Sequence, residues 1–286
     1  MNNISPLRRL LLSALLSLAA GSALAKPPLP PDPDLPLLQV QVQQARHALA
    51  QDERLPRIVY VGAGLDAAST AFVGDVKLGT SRLKALAPQM VSLSLGNGDD
   101  APGTWPQATL RTVPAALAHA AELLRSAAAA AEDRLAIVLL SSHGNRGFLA
   151  LSEDGGDEFD EVTAAMLKRW LAPLGDTPTL LVISACHAGS LIPALQAPHR
   201  IILAAARADR SSFGCEAEST NTYFVDELFT SLDGRLSLED WFARTAAGVS
   251  ARERRMGLSP PSRPQLSIGR AMRTIARQPL ARWLAR

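Results

Sequence analysis

The sequence predicts an α/β domain with a mostly parallel sheet covered by helices on both faces. From Arg57 onward, short apolar runs alternate with longer helical segments, the order that parallel strands joined by crossover helices require. Runs such as I-V-L-L and L-L-V-I are apolar at every position, which places these strands in contact with core on both faces. The 286 residues, 47% hydrophobic and 20% charged, suffice for one large core. The two cysteines cannot build a disulfide framework or a four-thiolate zinc site. The five histidines show no ligand-pair spacing, so no metal or organic cofactor is expected.

Arg8 and Arg9 precede an apolar run over 10–24 that closes in Ala23-Leu24-Ala25, the pattern of a secretory signal peptide over 1–25. Its removal predicts a mature chain that starts at Lys26 in the periplasm or outside the cell. The run is shorter than the ~20 residues a membrane-spanning helix needs. Six prolines between 26 and 36 predict an extended lead-in over 26–38. A helix over 39–56 follows, with Val40, Ala45 and Leu49 at periodic positions and Pro56 to stop it.

A single domain over 57–269 carries predicted strands at 58–61, 90–95, 135–141, 180–184 and 201–205. Helices are predicted near 68–86, 113–131, 162–171 and 191–195, then 222–232 and 238–255, before a short strand at 265–268. No change of composition divides this stretch. Residues 270–286 read as a basic helical tail. From 252 to 286 there are nine arginines and one acid, Glu253, the pattern of a solvated helix face or of one packed against the acidic body. Overall, 29 basic residues nearly balance 27 acidic ones. Neither nucleic acid nor a membrane is an expected partner, and the sequence does not fix an oligomeric state.

Two of the buried strands end in reactive residues. I-V-L-L-S-S-H-G runs into His143, and L-L-V-I-S-A-C-H-A-G-S runs into Cys186. Ligand sites in open α/β sheets gather outside the carboxyl ends of the strands, so the two side chains can share one cleft. A thiol beside an imidazole is the minimal apparatus for nucleophilic acyl transfer. Gly144 lets the backbone approach a substrate and offers its N–H to a developing oxyanion. Gly189 and Ser190 would open a helix after Cys186, whose dipole favours the thiolate. His187 is expected at the rim of the cleft, His47 and His119 in helices, and His199 in a solvated connection. Singly, a buried Cys or a strand-end His is commonly structural.

The stretches S-S-H-G-N-R-G-F-L from Ser141, S-A-C-H-A-G-S from Ser184 and A-A-R-A-D-R-S-S-F-G-C from Ala205 resemble the legumain-type cysteine peptidase family. That family also includes the catalytic subunit of the glycosylphosphatidylinositol transamidase. T-Y-F-V-D from Thr222 resembles a further motif, and P-S-R-P-Q-L-S-I-G from Pro261 is similar to bacterial members. The resemblance spans roughly 58–240 and implies a caspase-like fold and a peptide or protein substrate. It implies His143 as general base, Cys186 as nucleophile, and the N–H groups of Gly144 and Cys186 as the oxyanion hole. Ser184, Ser211 and Ser212 would line the substrate cleft, with Asp226 at the base of the pocket for the residue before the scissile bond.

The sequence departs from the animal and plant pattern at two places. Ser184 stands where that pattern has an acid, and G-A-G-L-D-A-A-S-T follows Val61 where an Asn and an Arg are usual. Asp226 would then be left unpaired and would favour a basic substrate side chain, unless a local base such as Arg207 or Arg210 pairs with it. Asp66 reads either as a support for His143 or as a turn residue. A Cys186–Cys215 disulfide is chemically feasible outside the cytoplasm but would block the nucleophile, so free thiols are expected. The leading expectation is an endopeptidase working through a thioester. A transpeptidase using the same dyad, or a non-catalytic binding or scaffold protein, is the alternative.

Overall fold

The computed structural model describes residues 32–54, 57–126 and 129–284. The signal-peptide reading and the first part of the proline-rich lead-in lie outside these residues. Chain order among the described residues begins with α1 (Leu35–Gln51), β1 (Arg57–Gly64), α2 (Thr70–Leu86), β2 (Val91–Gly96), α3 (Thr112–Ser126) and β3 (Arg134–Ser141). A small hairpin unit follows, β4 (Gly144–Asn145), β5 (Phe148–Leu151) and β6 (Asp160–Thr163), then α4 (Ala164–Leu171), β7 (Thr179–Ser184), α5 (Ile192–Leu195) and β8 (Arg200–Ala204). The chain closes with α6 (Tyr223–Thr230), α7 (Leu238–Arg255), β9 (Gln265–Ile268), α8 (Arg273–Ala276) and α9 (Leu280–Leu284).

The main sheet has strand order β2-β1-β3-β7-β8-β9, parallel except for β9. Alternate strand residues feed two separate cores. Val59, Val61, Val138, Leu140, Leu181 and Ile183 pack toward α1, α3, α4 and α5. Ile58, Tyr60, Ile137, Leu139, Leu180 and Val182 pack toward α2, α6, α7 and the C-terminal helices. This period-two division of continuously apolar strands is the reason the sequence shows no polar alternation there.

The described residues differ from the sequence reading at three places. Helix α1 starts at Leu35, inside the stretch read as an extended lead-in, because Pro36 falls in the first turn, where the missing N–H has no intrahelical partner to lose. The 162–171 segment begins as strand β6 and becomes helical only at Ala164, where the Thr163 side chain accepts from the Met166 N–H. The β4–β6 hairpin is not foreseen in the sequence, since two of its strands are four residues long and the third two, too short for a period to register.

The C-terminal segment is docked rather than solvated. Leu280, Trp283 and Leu284 are buried in the second core, the Leu280 N–H donates to the Leu236 carbonyl at 2.7 Å, and Gln89 Nε2 donates to the Leu284 carbonyl at 2.9 Å. Arg270, Arg273, Arg277 and Arg282 are exposed while every third or fourth residue turns in. Trp283→Ala should therefore lower the free energy of unfolding by about 3 kcal/mol in chemical denaturation. A loss under about 1 kcal/mol would show that the tail does not belong to the core.

Candidate active site

Strands β3 and β7 are neighbours in parallel register, with Ser141 opposite Ser184. His143 and Cys186 each stand two residues beyond that pair, at the carboxyl edge of the sheet, where adjacent strands are about 4.8 Å apart. The Ser142 N–H continues the ladder to the Ser184 carbonyl at 3.0 Å, which carries the register up to the reactive residues. A methyl group placed on Gly144 would lie 3.0 Å from both the Ala185 Cβ and the Cys186 carbonyl oxygen, so the histidine segment abuts the cysteine turn and a side chain there would have to push a neighbour aside.

The ladder geometry also orients Gly144. The Ala150 N–H donates to the His143 carbonyl at 3.0 Å, which makes 143 and 150 a hydrogen-bonded pair. Antiparallel pairs alternate, so Gly144 opposite Leu149 falls in a non-hydrogen-bonded position, and its N–H turns away from β5. The Gly147 N–H donates to Ser190 Oγ at 2.9 Å, tying the hairpin turn to the segment after Cys186.

Cys186 precedes a sharp turn in which His187 adopts the left-handed conformation, φ 57°. The His187 N–H donates to the Arg210 carbonyl at 2.8 Å, and its Nδ1 lies 3.1 Å from the Ala208 carbonyl oxygen, so this ring is engaged on the loop after β8. The segment following Cys186 is one 3-10 turn over Ala188–Leu191 and the four-residue α5, too short for the helix dipole expected from the sequence to matter much. Direct donors act on the sulfur instead. The neighbouring Cys215 thiol, the Ser212 N–H at 3.3 Å and Ser212 Oγ at 3.7 Å hold the Cys186 thiol below the ordinary range against the opposing effect of burial. Cys215 is pushed up correspondingly. Both cysteines are free thiols.

His143 is half-buried, its ring edge-on to Phe72 with centroids 5.0 Å apart. Asp66 accepts from the Ala68 N–H at 2.9 Å and so forms a turn; it lines a cavity that His143 also lines. Among the described residues no group of three or more His, Cys, Asp or Glu side chains could hold a metal ion.

Of the residues expected in the substrate cleft, two are buried and Asp226 is paired. Ser184 is fully buried, and its Oγ lies 2.8 Å from Thr222 Oγ1, because the all-apolar strand that ends in it is enclosed on both faces. Ser212 is also buried, and its N–H donates to the Cys186 sulfur. Asp226 is not an unpaired charge: Arg252 Nη1 reaches its Oδ2 at 2.6 Å while the guanidinium stacks over Tyr223, 3.8 Å from the ring centroid. The partner comes from α7, one helix later in the chain, whereas Arg207 pairs with Asp209. Ser211 is exposed beside these residues.

A family model described as the peptidase C13 family, the legumain family, matches residues 119–247, the stretch that holds His143, Cys186 and the loop to Asp226. Over that stretch the chain matches the family. It is accordingly a cysteine-type peptidase with a caspase-like α/β domain. No curated protein sequence matches it. The match begins in α3, so β1, its Gly- and Ala-rich loop, and α2 lie outside it.

The peptidase's least visible support lies in that unmatched part. Asp75 on α2 is fully buried and accepts from Ser141 Oγ at 2.6 Å, the Thr222 N–H at 3.0 Å, Thr222 Oγ1 at 2.8 Å and Asn221 Nδ2 at 3.3 Å. The available signal was an acid three residues after Phe72 and next to Val76, on the apolar stripe of a helix. A second buried acid, Glu253, takes the N–H and hydroxyl of Ser262, whose carbonyl accepts the Arg207 N–H at 2.9 Å. The P-S-R-P stretch thus braces the loop behind the cysteine.

Burial raises Asp75 to about 7 against the pull of its four donors. A carboxyl raised in the fold binds its proton more tightly there than in the unfolded chain. Its stabilising contribution is complete below about pH 4 and is lost as the pH climbs through about 7. Asp75→Asn should therefore narrow the difference in unfolding free energy between pH 5 and pH 8. An unchanged difference would mean that Asp75 titrates as an ordinary surface acid.

Proposed function

We propose that this peptidase hydrolyses peptide bonds through a Cys186–His143 dyad and a thioester acyl-enzyme. The observation that carries the reading is the β3–β7 register, in which both residues stand the same distance beyond the Ser141–Ser184 pair. Cys186, held toward its thiolate by Ser212 and Cys215, attacks the carbonyl carbon, and His143 takes the thiol proton and passes it to the departing amine. The Gly144 N–H, turned off the β5 ladder, and the Cys186 N–H at the head of its turn receive the oxyanion. Water then resolves the thioester with His143 as base.

For the residue before the scissile bond, the Asp226–Arg252 pair favours an uncharged side chain, since the carboxylate already has its cation. Matched substrates carrying Arg, Asn and Ala at that position should show no Arg preference in kcat/KM. A preference of tenfold or more for Arg would restore the open-carboxylate pocket. Cys186→Ala and His143→Ala should each reduce kcat by 10³-fold or more while the thermal transition is retained. Hydrolysis by Cys186→Ala at the wild-type rate would refute the assignment. The signal sequence supports action in the periplasm or outside the cell, and the exported protein should have an intact mass corresponding to a start at Lys26.

A further inference from the structure

A cavity of about 350 Å³ opens beside His143 and Gly144 and is floored by Phe148, Ala150 and Phe159. The two phenylalanine rings stack with centroids 6.1 Å apart and planes 20° from parallel. Phe159 is 51% exposed, one of four large apolar side chains so placed among the described residues, and it stands on the cavity wall. An aromatic pair left half-covered at the edge of a cleft is apolar surface that a ligand can finish burying. The volume falls within the ~300–1,000 Å³ typical of ligand pockets.

Its position relative to the dyad decides which part of a substrate it meets. The acyl half of a cleaved peptide is bonded to the cysteine sulfur, whereas the departing amine takes its proton from the histidine. The cavity is lined by His143 and Gly144, while Cys186, Ser211 and Ser212 do not line it, so it lies on the amine side of the reacting bond. Asp66 and Asp157 also line it. The segment over 153–161, which ends in the first residues of β6, adds Glu153, Asp154, Glu158, Asp160 and Glu161 without a base, and Glu153 is raised by burial and by the acids around it. The field at the mouth therefore repels an acidic side chain.

We propose that this cavity holds the side chain of the residue following the scissile bond and selects an apolar one; the proposal rests on the dyad reading above. The same seat serves the reverse direction. An amine bearing an apolar side chain sits with its nitrogen beside His143, the nitrogen attacks the thioester carbon, the C–N bond forms, and the C–S bond breaks to return the Cys186 thiolate. His143 accepts the amine proton. Aminolysis in competition with hydrolysis then depends on the side chain of the amine.

The test uses the full-length mature chain and peptides identical except for Leu, Phe, Ala or Asp after the scissile bond, with leucinamide, glycinamide and aspartic acid amide as competing nucleophiles. Leu and Phe should exceed Asp in kcat/KM by tenfold or more, and leucinamide should give the highest ratio of aminolysis to hydrolysis. Phe159→Ala, a substitution at an exposed position, should reduce the Leu-to-Ala ratio about fivefold, and Phe159→Leu should retain most of it. Each ratio is measured within one protein, so a change in active fraction cancels. Equal kcat/KM for Leu, Ala and Asp, or a Leu-to-Ala ratio unaltered in Phe159→Ala, overturns the proposal while leaving the dyad standing. Absence of Cys186-dependent turnover and of labelling by a thiol-directed acyloxymethylketone overturns the dyad reading, and this proposal with it.

Discussion

The carboxylate of Asp75 is the constraint on which the carboxyl edge of the sheet depends. A buried acid with hydroxyl and amide donors, and without a cation among the groups that bond it, is costly to enclose unless every donor is in place. Those donors come from two parts of the chain: the end of β3, and the Asn221–Thr222 pair that leads into α6. Ser184 joins through Thr222, so the end of β7 enters the same network. Relaxing any of these segments leaves an unsatisfied polar atom inside the second core. The strand ends that carry His143 and Cys186 are thereby held from beneath, while the Ser142–Ser184 ladder bond holds them in the plane of the sheet.

Above that layer, the loops divide the remaining tasks. The loop after β8 supplies the Ser212 donors behind the sulfur and the carbonyls that fix His187, and it is itself braced by Ser262 and Glu253. The β4–β5 turn is pinned to Ser190 beyond the cysteine. Phe72, one turn before Asp75 on α2, meets the His143 ring edge-on. One helix therefore supports both the imidazole and the strand ends, although it lies outside the stretch matched by the family model.

Much of this was legible in the sequence. The five apolar runs became the five parallel strands with shifts of a few residues at most, because strands buried on both faces are apolar at nearly every position. The two motifs ending in His143 and Cys186 were placed at the carboxyl edge by topology alone. What the sequence hid has identifiable causes. Ser184 and Ser212 read as cleft residues because small hydroxyl side chains look alike whether they face a ligand or a buried partner within the fold. The cation for Asp226 came from Arg252, on another helix, and pairing across elements leaves no local period to detect. The hairpin was hidden by its brevity, and with it the Phe148–Phe159 pair.

The network around Asp75 also bears on how the protein can vary. Positions 75, 141, 184 and 222 share hydrogen bonds in one enclosed space, so a substitution that is harmful alone becomes tolerable once a compensating change has refilled or repolarised that space. Shared bonds of this kind make a paired replacement at these positions less costly than a single one. A lineage could exchange the entire polar cluster for an apolar plug of equal volume and keep the strand ends where they are, but few single-step routes lead there. The segment over 153–161 shares none of the cluster's hydrogen bonds, so a replacement there needs no partner among these four positions.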